Sequence, residues 1–537
     1  MTTRLDLRAR ALAALLPLLV TAPRFWNGFV FDDVFMIVRG DFIHDPRNLP
    51  TALTARAMVA SSLNAAVGNV ALDTYRPLSI ATFFWDAAWS GRAPWSYHLT
   101  NALLHAGVVL LVQALLARLV PTLGVARATV LACLFGLAPW LTEAHVFING
   151  RSDVLLALFA VGAMLVHARA LVTGSWPRAS VTGLLVLAGL LAKETMVAAL
   201  PFVLLVPTPL KLAWRTRITQ AAPSVLALGA YLAARTHALG GMHAQTDAAT
   251  TLKALTHLPL LWLDTLTHTA LPTPYVLRSL RDDYDGASSA LRLVALAVLA
   301  LTNLAIGYAL FRRQVRVAWA VGLGFCTIAP AAMISTALWQ GFGRYLYLPA
   351  VGITVLIALG LDALLRLLAN ASPLARRLVA SVPVGLCVLS ALLTVDATRG
   401  FHSDETLYVR ALAAHPEQAW TYGALGMALR RAGRCPEAIP MLAHAEKKAS
   451  HEPRYAVHRA RCLIETGNLD GARAVVRQAR ARFAGTRAEA GLLVAEFLTL
   501  ARGDPAAASL MKRCLELAPD RPDCLEGLAL ARAEPSR

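Results

Sequence analysis

The sequence predicts an all-α protein in two parts, a polytopic membrane helical bundle followed by a soluble α-solenoid. Composition gives the first indication. Of 537 residues, 57% are hydrophobic and only 16% charged, with a mean hydropathy of +0.53; a soluble chain carries about a quarter charged residues. The second is the recurrence of apolar runs long enough to cross a bilayer, among them "LLHAGVVLLVQALLARLV" (103–120), "LRLVALAVLALTNLAIGYALF" (291–311) and "LPAVGITVLIALGLDALLRLL" (348–368). The third is a change of character after about residue 398, where spans stop and an Ala-rich, amphipathic stretch begins. These boundaries give a membrane domain over residues 1–398 and a repeat domain over 403–537.

The first segment, "RARALAALLPLLVTAP", has the basic start and short apolar run of a secretory signal, but Pro23 follows the small residues where cleavage would fall. It reads as an uncleaved first span with Arg4, Arg8 and Arg10 on the cytoplasmic side. Basic and apolar stretches then alternate. Short loops hold Arg118 and Arg127; Arg169 and Arg178; Lys211, Arg215 and Arg217; Arg312, Arg313 and Arg316; Arg366, Arg376 and Arg377. Placing each in the cytoplasm gives about eleven spans, an inside N-terminus and an outside C-terminus. "LLVLAGLLAKETMVAALPFVLLV" reads as one broken span or two half-spans. Residues 24–98, 142–152, about 237–287 and 337–346 then face the other side. The net charge of +18 is explained by these cytoplasmic loops, and no basic stripe with interleaved aromatics supports nucleic-acid binding.

In the second part, "GRCPEAIPMLAHA" (433–445) and "GNLDGARAVVRQA" (467–479) align at a period of 34: Gly433 with Gly467, Ala438 with Ala472, Ala445 with Ala479. That is the tetratricopeptide period, with small residues where paired helices pack closely. "ALAAHPEQ" (411–418) reads as the tail of an earlier half-repeat. A third, degenerate copy starts near Arg487, with Gly503 and Ala508 shifted by about two residues. Cys133, Cys326 and Cys387 fall in spans and read as small apolar fillers. Cys435, Cys462, Cys514 and Cys524 fall in the repeats, which this topology exports to an oxidising space where a bridge can form; their spacing matches no metal motif.

The chemistry-bearing residues concentrate in the outward segments. Asp32 and Asp33 sit among Phe29, Phe31 and Phe35. Neighbouring carboxylates in a partly dry site raise the proton affinity of one and leave the other ionised, which suits a general base facing a hydroxyl; helix capping is the bland alternative. Arg76, Tyr75, His98, Asn101 and His105 gather where the chain enters the membrane, the last three on one helix face. Such a polar face lines a cavity or pairs internally, while Trp85, Trp89, Trp95 and Tyr97 read as an interfacial belt. The loop "PWLTEAHVFINGRSDVL" adds Glu143, His145, Arg151 and Asp153. A Glu143–His145 metal pair lacks further ligands, and an Arg151–Asp153 contact would be structural. Lys193 and Glu194 in "LAKETM" read as an ion pair facing a polar cavity. Arg344 in "QGFGRYLYLPAVG" is a planar fork of donors suited to a phosphate, or an interfacial arginine reaching the headgroups.

The ordered set "FVFDD", "YRPLSIATFFWD", "W-S-YH-L-N-LLH", "TEA…GRSDVL", "LLAKET" and "RYLYLPAVG", followed by tetratricopeptide repeats, resembles the transmembrane and tetratricopeptide repeat-containing O-mannosyltransferases, and the chain looks like a bacterial relative of them. The resemblance implies a C-type glycosyltransferase fold and an acidic pair in the first outward loop, matching Asp32 and Asp33. Its "APWL" replaces the family's usual "HP" before "TEA", and its repeat array is short.

The expected reaction is an inverting transfer of a sugar, in the mannosyl class, from polyprenyl phosphate to a protein hydroxyl. Asp33 would act as base with Asp32 orienting it; Arg344, Arg76 and Lys193 would hold the leaving phosphate; His98, His105, Glu143, Arg151 and Glu194 would line the cavity. Neither a metal nor a cofactor is expected. The resemblance implies the inner (plasma) membrane of a bacterium, with the repeats in the periplasm docking the protein acceptor. A different class of function is a non-catalytic scaffold whose repeats recruit envelope proteins. A transporter would show paired repeats among its spans, and none is seen.

Overall fold

A computed structural model of the chain describes residues 4–54, 74–210, 212–241, 248–274, 276–278, 280–332, 343–500, 504–519 and 521–532. Lys211, the first three residues (340–342) of "QGFGRYLYLPAVG", and Gly503 of the third repeat lie outside them. Helices dominate, and no strand occurs among the described residues. Two compact units are present, one ending at His402 and the other starting at Ser403.

Among the described residues of the first unit, six helices are long and apolar enough to cross a membrane: Trp95–Leu119, Ile148–Thr173, Ser289–Phe311, Val315–Ala332, Gly343–Asn370 and Pro373–Arg399. A seventh candidate is Pro121–Gly136 with Pro139–Val146, bent by 50°. Length and hydropathy of the described residues do not confirm the expected count of about eleven. The alternation of basic loops counts every apolar stretch, whereas several are short: Trp176–Ala192 has 17 residues and Met196–Leu204 has 9. Those two are the halves of the anticipated broken span. They part at Lys193, whose backbone is extended (φ −160°, ψ 131°).

Local sequence explains the helix limits. Ser288 accepts from the Leu291 N–H and Ser372 from the Ala375 N–H, the latter with Pro373 at the first helical position. Gly174 ends Ile148–Thr173 in the left-handed conformation (φ 64°). Val108, Val112, Leu115, Leu116 and Leu119 of one helix meet Val154, Ala157, Ala160, Val161 and Met164 of the next within a single core, at helical spacing. The outer helix Ser289–Phe311 behaves differently. Only Ala295 and Ala309 of it are buried, and Leu293, Leu301, Leu304 and Phe311 are exposed, as expected where lipid is the solvent. Cys133 and Cys387 pack as fillers, but Cys326 is exposed.

In the second unit, antiparallel helices pair from Asp404–Ala414 to Pro522–Arg532. Gly433 and Gly467 occupy matching turns at φ 76° and 81°, a conformation glycine adopts without a Cβ clash. Ala438, Ala472, Ala445 and Ala479 are all fully buried, so the 34-residue register corresponds to the packing seams. In the third copy the buried alanine is Ala507 rather than Ala508. Disulfides join Cys435 to Cys462 and Cys514 to Cys524.

Candidate functional site

Residues distant in the chain meet around the loop 143–151. Asp33 is buried, and its Oδ1 accepts the Asn149 N–H at 3.0 Å while its Oδ2 faces the Val30 N–H at 3.4 Å. The Asp33 side chain does not cap the helical turn Val34–Val38 that follows. Phe31, just before the doublet, has φ +54°, uncommon for a bulky residue and characteristic of functional loops. Its ring lies 6.2 Å from that of Phe147. Asp32 is half-buried and lies within electrostatic range of Arg344.

His98, Asn101 and His105 are all buried on one face of Trp95–Leu119, and each holds a different segment. His98 Nε2 lies 3.2 Å from the Asn27 carbonyl. Asn101 donates to the Phe147 and Ile148 carbonyls at 3.1 Å each and accepts from Arg151 Nε at 2.6 Å. His105 Nδ1 lies 2.5 Å from the Tyr347 hydroxyl. The loop these residues grip is tightly turned. A Cβ on Gly150 would sit 2.6 Å from the Ala144 carbonyl oxygen and 2.8 Å from that of Glu143, so only glycine closes it.

The charged pairs differ from expectation. Arg151 does not pair with Asp153. It pairs with Asp86 at 2.5 Å, donates to Thr82 Oγ1 and the Tyr97 carbonyl, and stacks over Phe83 at 4.5 Å. With Nε donating to Asn101, each of its three guanidinium nitrogens has a partner inside the protein, and its side chain is fully buried. Lys193 does not pair with Glu194. Lys193 meets Asp153 at 2.5 Å, and Glu194 takes a two-pronged contact from Arg76 at 2.5 and 2.8 Å. Lys193 is extended and Glu194 begins the turn into the next helix, so the break between the two helices sends each to its own partner. Glu143 and His145 also diverge: Glu143 lies 3.7 Å from Arg344, while His145 Nδ1 lies 2.9 Å from Arg24. They are not arranged as a metal pair.

The Arg344 guanidinium lies 5.2 Å from the Phe147 ring and 5.5 Å from that of Tyr345, and Lys193 Nζ lies 4.5 Å from the Tyr345 ring. Asp153 acts electrostatically on Arg76, Glu143 and Arg344. Arg344, Arg76, Lys193 and Asp153 therefore gather around Tyr345, with Glu143 near Arg344, Glu194 on Arg76, and Asp32 in range of Arg344.

Sequence reasoning missed Arg24, Asp86, Thr82, Tyr345 and Tyr347. Asp86 carried a signal, a lone acid in the aromatic helix "FFWDAAW". Arg24 carried little, since it reads as one more basic residue flanking a span; it is fully buried, and burial brings its guanidinium down to about 9, opposed by Tyr347. Tyr97 is not in the aromatic belt: it is buried against Phe29 and Phe83, while Trp85, Trp89 and Trp95 are exposed and in ring contact in sequence.

Fold and site together define a polytopic helical membrane protein with a buried polar cluster and a tetratricopeptide unit. The tetratricopeptide repeat family matches residues 429–496. The chain is similar to protein O-mannosyl-transferase Tmtc1 of Drosophila melanogaster, 31% identical over 32% of this chain and 19% of the relative. It is also similar to protein O-mannosyl-transferase TMTC3 of Homo sapiens (30%, over 32% and 19%) and TMTC2 of Mus musculus (41%, over 18% and 11%). These matches thus span less than a fifth of each relative's length. No solved structure matches the chain.

Proposed function

We propose that the protein is a membrane glycosyltransferase that moves a mannosyl group from a polyprenyl-phosphate donor to a protein hydroxyl on the non-cytoplasmic side, with inversion, in a bacterial inner membrane. The N-terminus is cytoplasmic, and the repeats dock the acceptor in the periplasm. The single observation that carries this reading is the convergence of the acidic doublet with Arg344 at the 143–151 loop, although more than 300 residues separate them in the chain. The names of the relatives supply the sugar and the acceptor class.

The acceptor oxygen attacks the anomeric carbon, its proton passes to a carboxylate of the doublet, and the bond to the phosphate oxygen breaks with its electron pair leaving on polyprenyl phosphate. Asp33 was the expected base, but its two oxygens face the backbone N–H groups of Asn149 and Val30. That supports a positioning role for Asp33 and gives the proton to Asp32, the less buried acid and the one in range of Arg344. Arg344 takes the phosphate, with Lys193 and Arg76 behind it. Both of these are already neutralised by Asp153 and Glu194, so they set the field and Arg344 makes the contact.

A non-catalytic scaffold needs only the repeats and leaves this cluster without a task, which is costly to maintain in a membrane. The test is transfer of radiolabel from polyprenyl-phosphate mannose in membranes holding wild type, Asp32→Asn or Arg344→Ala. The reading requires labelled protein with the wild type and none with either variant at equal expression; label that is equal in all three removes it.

A further inference from the structure

The mechanism leaves one buried group of side chains unused. Arg24 donates to the His145 carbonyl and to His145 Nδ1, both at 2.9 Å. The His145 ring stacks on that of His105, with centroids 3.8 Å apart and planes at 11°. His105 Nδ1 meets the Tyr347 hydroxyl at 2.5 Å, and its Nε2 meets the Gly136 carbonyl at 3.0 Å. Each of the four is at most 1% exposed, so none can touch a substrate.

Each, however, is a close chain neighbour of a site residue. Tyr347 follows Arg344 by three positions, opening the helix Tyr347–Leu367 directly after the short turn Gly343–Leu346 that carries Arg344. His145 follows Glu143 within Thr142–Val146. His105 lies one helical turn beyond Asn101, which grips Phe147 and Ile148. Arg24 is the middle residue of the turn Ala22–Trp26 that delivers Asn27, the partner of His98, and then the acidic doublet. The segments bearing Asp32 and Asp33, Glu143, Asn101 and Arg344 are thus tied together by one continuous chain of contacts.

Among the described residues, the hydrogen-bond partners of Arg24 are Thr21 and His145, with no carboxylate among them. A buried guanidinium without a counter-charge is expensive, and an apolar side chain of that volume would serve packing better. Its retention has an explanation if the forked donor fixes geometry. A guanidinium bonding one residue's carbonyl and ring together sets both the position and the rotation of that residue.

We propose that Arg24, His145, His105 and Tyr347 form a positioning spine that holds the acidic doublet at its working separation from Arg344. The inference rests on the transferase reading for its consequence, though not for its geometry.

Tyr347→Phe tests it, because it deletes the hydroxyl that meets His105 and leaves the ring against Phe135. Purified full-length protein is assayed for transfer and for amide hydrogen exchange. The expected result is a kcat lower by about ten- to a hundredfold with the donor KM unchanged, the signature of misplaced reacting groups. Exchange rises in residues 28–33 and 147–150, remote from the substitution, while the melting temperature holds. Arg24→Lys keeps the charge without the fork and should reproduce both effects, with the double variant no worse than the single ones. Wild-type kcat and wild-type exchange in those segments overturn the spine. So does a uniform rise in exchange with a fall in melting temperature, which is a packing defect only. If wild type itself transfers no sugar, the transferase reading fails alone, and the exchange pattern still decides whether the spine exists.

Discussion

Arg151 and Asp86 lie 2.5 Å apart with side-chain exposures of 0% and 1%. The carboxylate also accepts from Thr100 Oγ1, and the guanidinium also donates to Asn101, Thr82 and Tyr97. The pair locks the aromatic helix Pro77–Ser90 to the start of Arg151–Thr173 and to Trp95–Leu119. It is the frame on which the 143–151 loop is built.

Removing one partner leaves a buried charge uncompensated. Asp86→Asn should therefore cost about 3–5 kcal/mol of stability, read as an earlier thermal unfolding of the detergent-solubilised protein. Arg151→Met with Asp86→Leu removes both charges and should recover most of that loss. A double variant as unstable as Asp86→Asn would show that the neighbouring hydrogen bonds, and not the charge balance, hold the frame.

The acidic doublet yields a different expectation for each member. Asp32→Asn should abolish transfer with a smaller loss of thermal stability than Asp33→Asn, because Asp32 is the less buried of the two and within electrostatic range of Arg344. Asp33→Asn weakens the acceptance from Asn149 and Val30. It should lower stability by about 1–3 kcal/mol, the cost of hydrogen bonds to a charged group, as well as lower kcat. Equal stability of the two variants would remove the division of roles.

The positions of the groups explain what was legible beforehand. Period 34 placed the glycine turns and the alanine seams of the repeats, because packing between like units leaves a fixed spacing in the chain. Apolar length revealed the membrane helices, and the polar residues within them identified the cluster. Partner choice was not legible. Arg151 with Asp86, Lys193 with Asp153 and Arg76 with Glu194 join residues 40 to 118 positions apart, and local spacing favours the nearest opposite charge instead. Arg24 was hidden for a related reason: nothing in a sequence separates a basic residue that flanks a span from one folded into its core.

Glu143 stands 3.7 Å from Arg344, a looser pairing than the 2.5 Å contacts of Lys193 with Asp153 and Arg76 with Glu194, and it lies beside the cation proposed to receive the donor phosphate. A phosphate entering there competes with a carboxylate already in place. Glu143→Gln should lower the donor KM by about three- to tenfold, equivalent to about 1 kcal/mol, whereas Arg344→Lys should raise it by about tenfold through loss of the planar fork. Steady-state kinetics over a range of donor concentration read both. A Glu143→Gln variant with a raised donor KM would mean that the carboxylate orients Arg344 instead of competing for it.

The repeat unit provides a pH-dependent prediction away from the membrane. His458 lies in the helix Pro453–Glu465, with its Nδ1 3.3 Å from Arg430 Nη1. Burial first, then the guanidinium groups of Arg430, Arg461, Arg431 and Arg454, hold its imidazole down to about 3. An unfolded histidine titrates near about 6.5. Above that pH both states are neutral and the residue is without effect on stability. Below it the unfolded chain binds a proton that the folded chain refuses, so the stability of the repeats falls as pH drops from about 6.5 toward 3. Trp420 is the only tryptophan after residue 403, and a fluorinated tryptophan there reports unfolding of this unit within the full chain. The midpoint should fall with pH in wild type and fall less steeply in His458→Gln, which keeps a polar group without the titration. Parallel curves for the two proteins would assign the acid sensitivity to the carboxylates that bridge the repeats, such as Glu446 with Arg459 and Arg482.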